Sequence, residues 1–396
     1  MAKLIPAEKK RLLAIARSFG TPVYAYDAVQ IERACKRLRR HVPDAAIHYA
    51  IKANANPAIL KIIKAAGCGV EAVSIGELML AQSLGFASER ISFTCSNLTE
   101  KELVRAARAG VRVHLDSLHQ LTVWGTRKLG KEVSLRLNQG IGAGHHAHVI
   151  TGGPDSKFGI SLRDIPQAKR IARKYGLTIT GLQQHIGSNV LDIKVFERAM
   201  TTLLATADGF PDLMHIDFGG GFGIPYEPGQ KPLPLETLGK RATALMKEYY
   251  KRRGYRVAFS FEPGRYIVAE AGTLLVEVTD IKSTEKHLFV GVNSGFNQLI
   301  RPAMYDAYHP IENLSRARGP RKLLTIAGNV CESGDILARA RRMVTPQIGD
   351  ILAIGIAGAY GFSMASVYNL RALPKQILYA GKTTKNISVN PTEYAV

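Results

Sequence analysis

Between residues 47 and 262 the chain repeats one unit eight times: a short apolar run, then a stretch with helical spacing. The strand-like runs fall at 47–53, 69–74, 91–95, 111–116, 132–138, 177–186, 213–218 and 257–262. Parallel strands need a crossover between them, and eight near-equal crossovers predict a closed (β/α)8 TIM barrel. The competing arrangement is a doubly wound open sheet. No GxGxxG follows the first strand, which favours closure. After residue 265 helical spacing becomes scarce. Short β-rich runs at 273–278, 288–292, 323–326, 351–354 and 375–379 are separated by Gly, Pro, Asn and Asp. The expected division is an α/β barrel at 27–265 and an all-β sandwich or barrel domain at 266–396. A strand near 22–26 is expected to join the β domain.

In such barrels the chemistry collects at the C-terminal ends of the strands. Lys52 ends the first run, within Tyr49-Ala50-Ile51-Lys52-Ala53-Asn54. Burial of a lysine lowers its pKa and makes it a nucleophile for Schiff-base formation, although such a residue can also snorkel to solvent. Glu71 and Ser74 flank the second strand end, and Arg136 and Asn138 the fifth. Gln183, His185, Gly187 and Ser188 follow the sixth strand, Asp217 and Gly219-Gly220-Gly221 the seventh, and Glu262, Gly264 and Arg265 the eighth. A triple glycine can close its backbone N–H groups on a phosphate, or simply turn. A carboxylate at Glu262 suits a protonated pyridine nitrogen, or an ion pair with Arg265. His185 suits a ring-stacking or acid–base role, or a structural one. Lysine, glycine nest and carboxylate together point to pyridoxal 5'-phosphate (PLP).

The second domain adds Cys331-Glu332-Ser333-Gly334-Asp335, Gly358-Ala359-Tyr360-Gly361 and Arg301-Pro302-Ala303-Met304-Tyr305. Cys331 sits in a polar loop and can donate a proton, or pack as an ordinary thiol. Arg301 offers a fork for a carboxylate, or a solvated loop side chain. His145, His146 and His148 lack Cys or carboxylate partners, so no metal site is expected.

Composition bounds the setting. The net charge is +21, but the basic clusters are short and there is one Trp, so nucleic-acid binding is not expected. The clusters at 36–40, 251–253, 316–322 and 339–342 read as helix-like or loop segments. No run of 18 apolar residues exists, so no membrane span is expected. Four dispersed cysteines and no signal-peptide pattern suggest reduced thiols in a cytoplasm.

The motifs resemble those of the fold-type III PLP-dependent decarboxylases, most closely the diaminopimelate decarboxylase branch. The match runs from TPVYAYD, YAIKANAN, SIGEL and TGGPDSKFGI through HIGS, FGGGFGIPY, EPGR and SGFNQLIRPAMYDAYH to CESGD and GAYGFSMASVYN. The resemblance implies that Lys52 carries PLP and that His185 stacks on its ring. It implies that Ser188, Gly219, Gly220, Gly221, Gly264 and Arg265 hold the phosphate end, with Tyr360 near the cofactor. Glu262 then pairs with the ring nitrogen. Arg265, Arg301, Tyr305, Glu332 and Tyr360 meet an amino-acid substrate, and Cys331 protonates the carbon that loses CO₂. It further implies a homodimer in which the Cys331 loop reaches the partner's barrel. The expected reaction is decarboxylation of meso-2,6-diaminopimelate at its D-centre to L-lysine. The alternatives are decarboxylation of another diamino acid or a siderophore or antibiotic intermediate, or non-catalytic PLP binding. The chain departs from the pattern at Gln183 (a histidine in the family), Asn293, Val367 and Gly328-Asn329-Val330.

Overall fold

A computed structural model describes residues 4–144 and 156–390. Two compact units result. One comprises Glu32–Ile224 with Pro232–Tyr266; the other comprises residues up to Ile31, Pro225–Lys231 and Ile267–Asn390.

The first unit is a closed parallel barrel. Its strands are Ala45–Ala50, Gly69–Ala72, Ile91–Thr94, Arg112–Leu115, Glu132–Asn138, Thr178–Gln183, His215–Asp217 and Ala258–Phe261. Each pairs with the next, and the eighth pairs with the first through Phe259↔Ala45 and Phe261↔Ile47. Apart from Glu132–Asn138, the strand ends lie slightly earlier than the apolar runs suggest. The first strand stops at Ala50, and Lys52 sits in a single 3₁₀ turn, Ile51–Ala53. Local chemistry starts the helices that return the chain. Asn56, Ser74, Thr99 and Ser117 cap four of them with a side-chain oxygen on a first-turn N–H. At Thr99 the box is complete, with Glu102 reaching back to the Thr99 N–H.

The barrel interior is unusually polar. His48, Ser92, His114, Ser134, His215 and Ser260 are polar residues within the barrel strands, and all are buried. They meet one another inside. The rings of His114 and His215 are 5.3 Å apart, and His114 lies between the hydroxyls of Ser92 and Ser134. Around the last two strands Phe218, Phe222, Phe259 and Phe261 stack and cross as an aromatic cluster.

The second unit is a nine-stranded mixed sheet. Val23–Asp27 pairs antiparallel with Gly272–Ser283 and parallel with Lys375–Ala380. Leu12, Ile15 and Ala16 of the helix Pro6–Phe19 pack on Val23, Ala25, Leu275 and Ile377. The basic cluster at 339–342 is not helical or looped: it belongs to the strand Ile336–Val344. Its alternation is broken because the pairing shifts register between Leu324↔Arg341 and Ile326↔Ala338, with Ala340 at φ 49°. Ile311–Asn313 and Thr383–Asn386 are two further short strands. No helix among the described residues is long and apolar enough to cross a membrane.

Candidate active site

The C-terminal rim of the barrel gathers the barrel residues expected from sequence. Lys52 Nζ lies 2.6 Å from Glu71 Oε2, and the Lys52 side chain is 36% exposed. The amine is therefore not an unpartnered buried group. A buried carboxylate at its side, rather than desolvation, sets its surroundings.

Glu262 is 5% exposed and both its oxygens are engaged. Oε1 is 3.1 Å from Ser92 Oγ, and Oε2 accepts from Gln183 Nε2 at 2.8 Å. Burial pushes its carboxyl well above the ordinary range, and Asp217 and Glu71 add repulsion. His185 is held by the Gly220 N–H, which donates to Nδ1 at 3.1 Å. The neutral ring therefore carries its hydrogen on Nε2. Desolvation keeps it neutral, with Lys52 and Arg136 adding positive charge nearby.

The triple glycine works differently from a simple nest. Gly219 N–H donates to Asp217 Oδ1 at 2.7 Å, and Gly220 N–H is spent on His185. These two N–H groups brace the rim instead of facing a phosphate. Absence of a side chain is still essential. A Cβ on Gly219 would stand 2.0 Å from the Gln184 carbonyl oxygen, at φ +73°, and one on Gly220 would stand 2.3 Å from the Glu262 carbonyl oxygen. Gly264 is packed by Ala50 and Ala53, 3.2 and 3.1 Å from its would-be Cβ. Arg265 directs Nη2 and Nε to Ser188 Oγ, at 2.8 and 3.3 Å. A guanidinium and a hydroxyl thus stand together at the rim, a donor set that suits a phosphate. Amine, side-chain-free cradle, donor pair and a buried carboxylate for a cationic ring nitrogen fit PLP.

The remaining sequence candidates belong to the second unit. Arg301 is 1% exposed. Its Nη1 donates to His309 Nε2 at 2.9 Å, and its guanidinium lies 4.6 Å from the centre of the Tyr226 ring. His309 must then carry its hydrogen on Nδ1, which donates to the Gly355 carbonyl at 3.0 Å. Tyr305 closes the same short helix, Arg301–Tyr305. Cys331 is exposed, and its N–H donates to Asn369 Oδ1 at 2.9 Å. Glu332 accepts from the Tyr368 hydroxyl at 2.5 Å. Tyr360 adopts φ +57°, a sparsely populated conformation for a bulky residue. His145, His146 and His148 lie outside the described residues.

The departures from the family pattern resolve into distinct jobs. Gln183 holds Glu262. Asn293 is a brace: its Nδ2 donates to Thr21 O and Oγ1, and its Oδ1 accepts from the Glu277 N–H. Gly328 and Val330 shape the loop before Cys331. A Cβ on Gly328 would meet Asp335 Oδ2 at 2.2 Å, and that carboxylate accepts the Val330 and Phe296 N–H groups. Val367 is 57% exposed. Sequence reasoning passed over Ser92, His114, His309 and the bracing roles of Asp217 and Asp335. The signal available for the first two was a polar residue between two apolar ones, Ser92 between Ile91 and Phe93 and His114 between Val113 and Leu115.

Comparison with known proteins agrees with this geometry. Residues 28–269 match the family model described as pyridoxal-dependent decarboxylase, pyridoxal binding domain. The diaminopimelate decarboxylase of Methanothermobacter thermautotrophicus is 41% identical, over 92% of this chain and 88% of the relative. That of Aquifex aeolicus is 36% identical over 95% and 90%. The crystal structure of diaminopimelate decarboxylase from M. jannaschii in co-complex with L-lysine superposes with a TM-score of 0.87 at 31% identity, covering 95% of this chain and 91% of that one. A barrel rim built for PLP, matched by a family model and by full-length relatives, leaves one assignment: the chain belongs to the pyridoxal-dependent decarboxylases.

Proposed function

We propose that the protein removes CO₂ from the D-centre of meso-2,6-diaminopimelate and yields L-lysine, using PLP held at the barrel rim. The observation that carries this reading is the rim itself: Lys52, Glu262, the glycine cradle and the Arg265–Ser188 pair on one barrel end. The substrate class follows from the relatives, which are diaminopimelate decarboxylases, and from a structural neighbour that binds L-lysine.

When bound, PLP supplies the electron sink that accepts the pair left by departing CO₂. The chain does the rest. Lys52 would hold the cofactor, and Glu71, 2.6 Å away, would pair with its ammonium whenever that amine is free. His185, oriented by Gly220, presents a neutral ring face. Glu262 accepts from the ring nitrogen. Arg265, Ser188, Gly221 and Gly264 hold the phosphate end, with Gly219 and Gly220 supplying clearance and Tyr360 closing on the cofactor. Arg301, held by His309 and Tyr226, offers a planar guanidinium, a group that suits a substrate carboxylate. Arg265, Tyr305, Glu332 and Tyr360 complete the contacts to a substrate charged at both ends. Cys331, exposed on its loop, delivers the proton to the carbon that lost CO₂.

We also infer a cytoplasmic homodimer in which the loop carrying Cys331 and Glu332 completes the partner's barrel. Beside that loop Val367, Tyr368 and Leu370 are 57%, 42% and 96% exposed, an apolar group that a second subunit would cover. A panel of PLP-reconstituted protein with meso-diaminopimelate, lysine, ornithine and arginine tests substrate choice. Preferred turnover of diaminopimelate is expected. Preferred turnover of another amino acid would reassign the substrate while leaving the PLP site intact.

A further inference from the structure

The polar interior of the barrel contains a hydrogen-bonded chain that ends on Glu262. Ser134 Oγ is 2.7 Å from His114 Nδ1, His114 Nε2 is 3.0 Å from Ser92 Oγ, and Ser92 Oγ is 3.1 Å from Glu262 Oε1. Gln183 Nε2 reaches the other oxygen at 2.8 Å. Ser92, His114 and Gln183 are each at most 1% exposed, so water does not supply these bonds.

Donor counting fixes the direction. When Glu262 is ionised it only accepts, so Ser92 spends its single hydrogen on Oε1. His114 must then donate from Nε2 to Ser92 and accept at Nδ1 from Ser134. A neutral imidazole satisfies this, and burial keeps His114 neutral by lowering its pKa to about 3. When Glu262 is protonated the same chain runs backwards. Glu262 O–H donates to Ser92, Ser92 to His114 Nε2, and His114 Nδ1–H to Ser134. No member loses a partner in either state. Gln183 breaks the symmetry, because its N–H strengthens only toward a full carboxylate. The charged groups around Glu262 are Asp217 and Glu71, which oppose its ionisation, and Lys52, which favours it.

We infer that Ser92, His114 and Gln183 are positioning residues that let Glu262 pass its proton to the cofactor's ring nitrogen and then hold the resulting carboxylate. The bond broken is the Glu262 O–H and the bond formed is the ring N–H, so the pair stays neutral overall. The inference rests on Glu262 facing that nitrogen in the proposed function. It extends that reading to residues within the strands that touch neither cofactor nor substrate. It also explains the glutamine at position 183, since a neutral amide donates there without adding a titrating group beside Glu262.

The test uses full-length protein loaded with PLP carrying ¹⁵N at the ring nitrogen, whose chemical shift reports protonation. Glu262→Gln should move the shift to that of the unprotonated ring. Ser92→Ala, His114→Leu and Gln183→Leu should move it part of the way, and Ser92→Ala and Gln183→Leu should weaken PLP binding about tenfold each, the usual scale for one hydrogen bond to a charged group. Gln183→His and His114→Gln retain a donor and should restore the shift. Thermal melts of the apo variants check folding; should His114→Leu fail to fold, Ser92→Ala and Gln183→Leu decide alone. A wild-type shift in both of these, beside a displaced shift in Glu262→Gln, overturns the inference. An unmoved shift in Glu262→Gln removes the reading of Glu262 and the inference with it.

Discussion

His114 shows how a single buried group leaves a mark on the whole protein's stability. Its folded pKa is about 3, while an unfolded histidine titrates near 6.5. The depressed value means its stabilising contribution is complete above pH ~6.5 and is lost as pH falls toward 3. His114→Gln should therefore flatten the acid dependence of unfolding free energy between pH 6 and 4 by about 1.4 kcal/mol per pH unit, one proton's share. Urea titrations of the apo protein across that window measure it; equal slopes in both proteins would show that His114 does not stay neutral in the fold. At the rim, Cys331→Ala should keep PLP, because the thiol stands on an exposed loop, and lose most turnover. Unchanged turnover would take Cys331 out of the reaction. Lys52 and Glu262 were legible because reactive groups at the ends of apolar runs stand out against strand chemistry. Ser92 and His114 were not, since a polar residue between two apolar ones in a four-residue strand carries no sign of what it faces. The glutamine at 183 read as a departure from the family; its hydrogen bond to Glu262 turns it into part of the site.

Elements carry the next layer. The strand–helix rhythm was readable because the strands are short runs rich in apolar residues, the first four of them followed by a helix-capping Asn, Ser or Thr. The barrel hides its interior from that reading, since inward polar residues interrupt the runs that mark the strands. In the β domain the strand Ile336–Val344 escaped notice because its bulge shifts the two-residue period, so arginines appear where apolar residues belong. Two substitutions probe individual elements. Thr99→Ala removes the side-chain half of a capping box on an exposed helix start, leaves the residue-99 N–H on Glu102, and should cost about 1 kcal/mol without touching activity. Chemical denaturation measures the loss, and a change in cofactor affinity would contradict the separation of cap from site. Gly219→Ala forces a Cβ to 2.0 Å from the Gln184 carbonyl oxygen at a left-handed φ. It should abolish PLP binding while the far-ultraviolet circular dichroism keeps its helix and sheet signature. Retained PLP affinity would mean the rim yields more easily than its packing indicates.

At the scale of the molecule, the charge of +21 remains outside the mechanism: nothing at the rim calls for a surplus of that size. The proposed homodimer would bring the whole chain into the chemistry. If each site draws Lys52 from one subunit and Cys331 from the other, Lys52→Ala and Cys331→Ala proteins mixed through unfolding and refolding should recover about one quarter of wild-type turnover. Half of randomly paired dimers are mixed, and each holds one intact site. No recovery would place both residues of a site on the same chain. Rim, relatives and second domain converge on one reaction, and purified protein loaded with PLP and given meso-diaminopimelate tests it most directly. The prediction is CO₂ and L-lysine in equal amounts, lost in Lys52→Ala together with the visible absorbance of the bound cofactor. Loaded protein that binds PLP at Lys52 yet forms no lysine would contradict it.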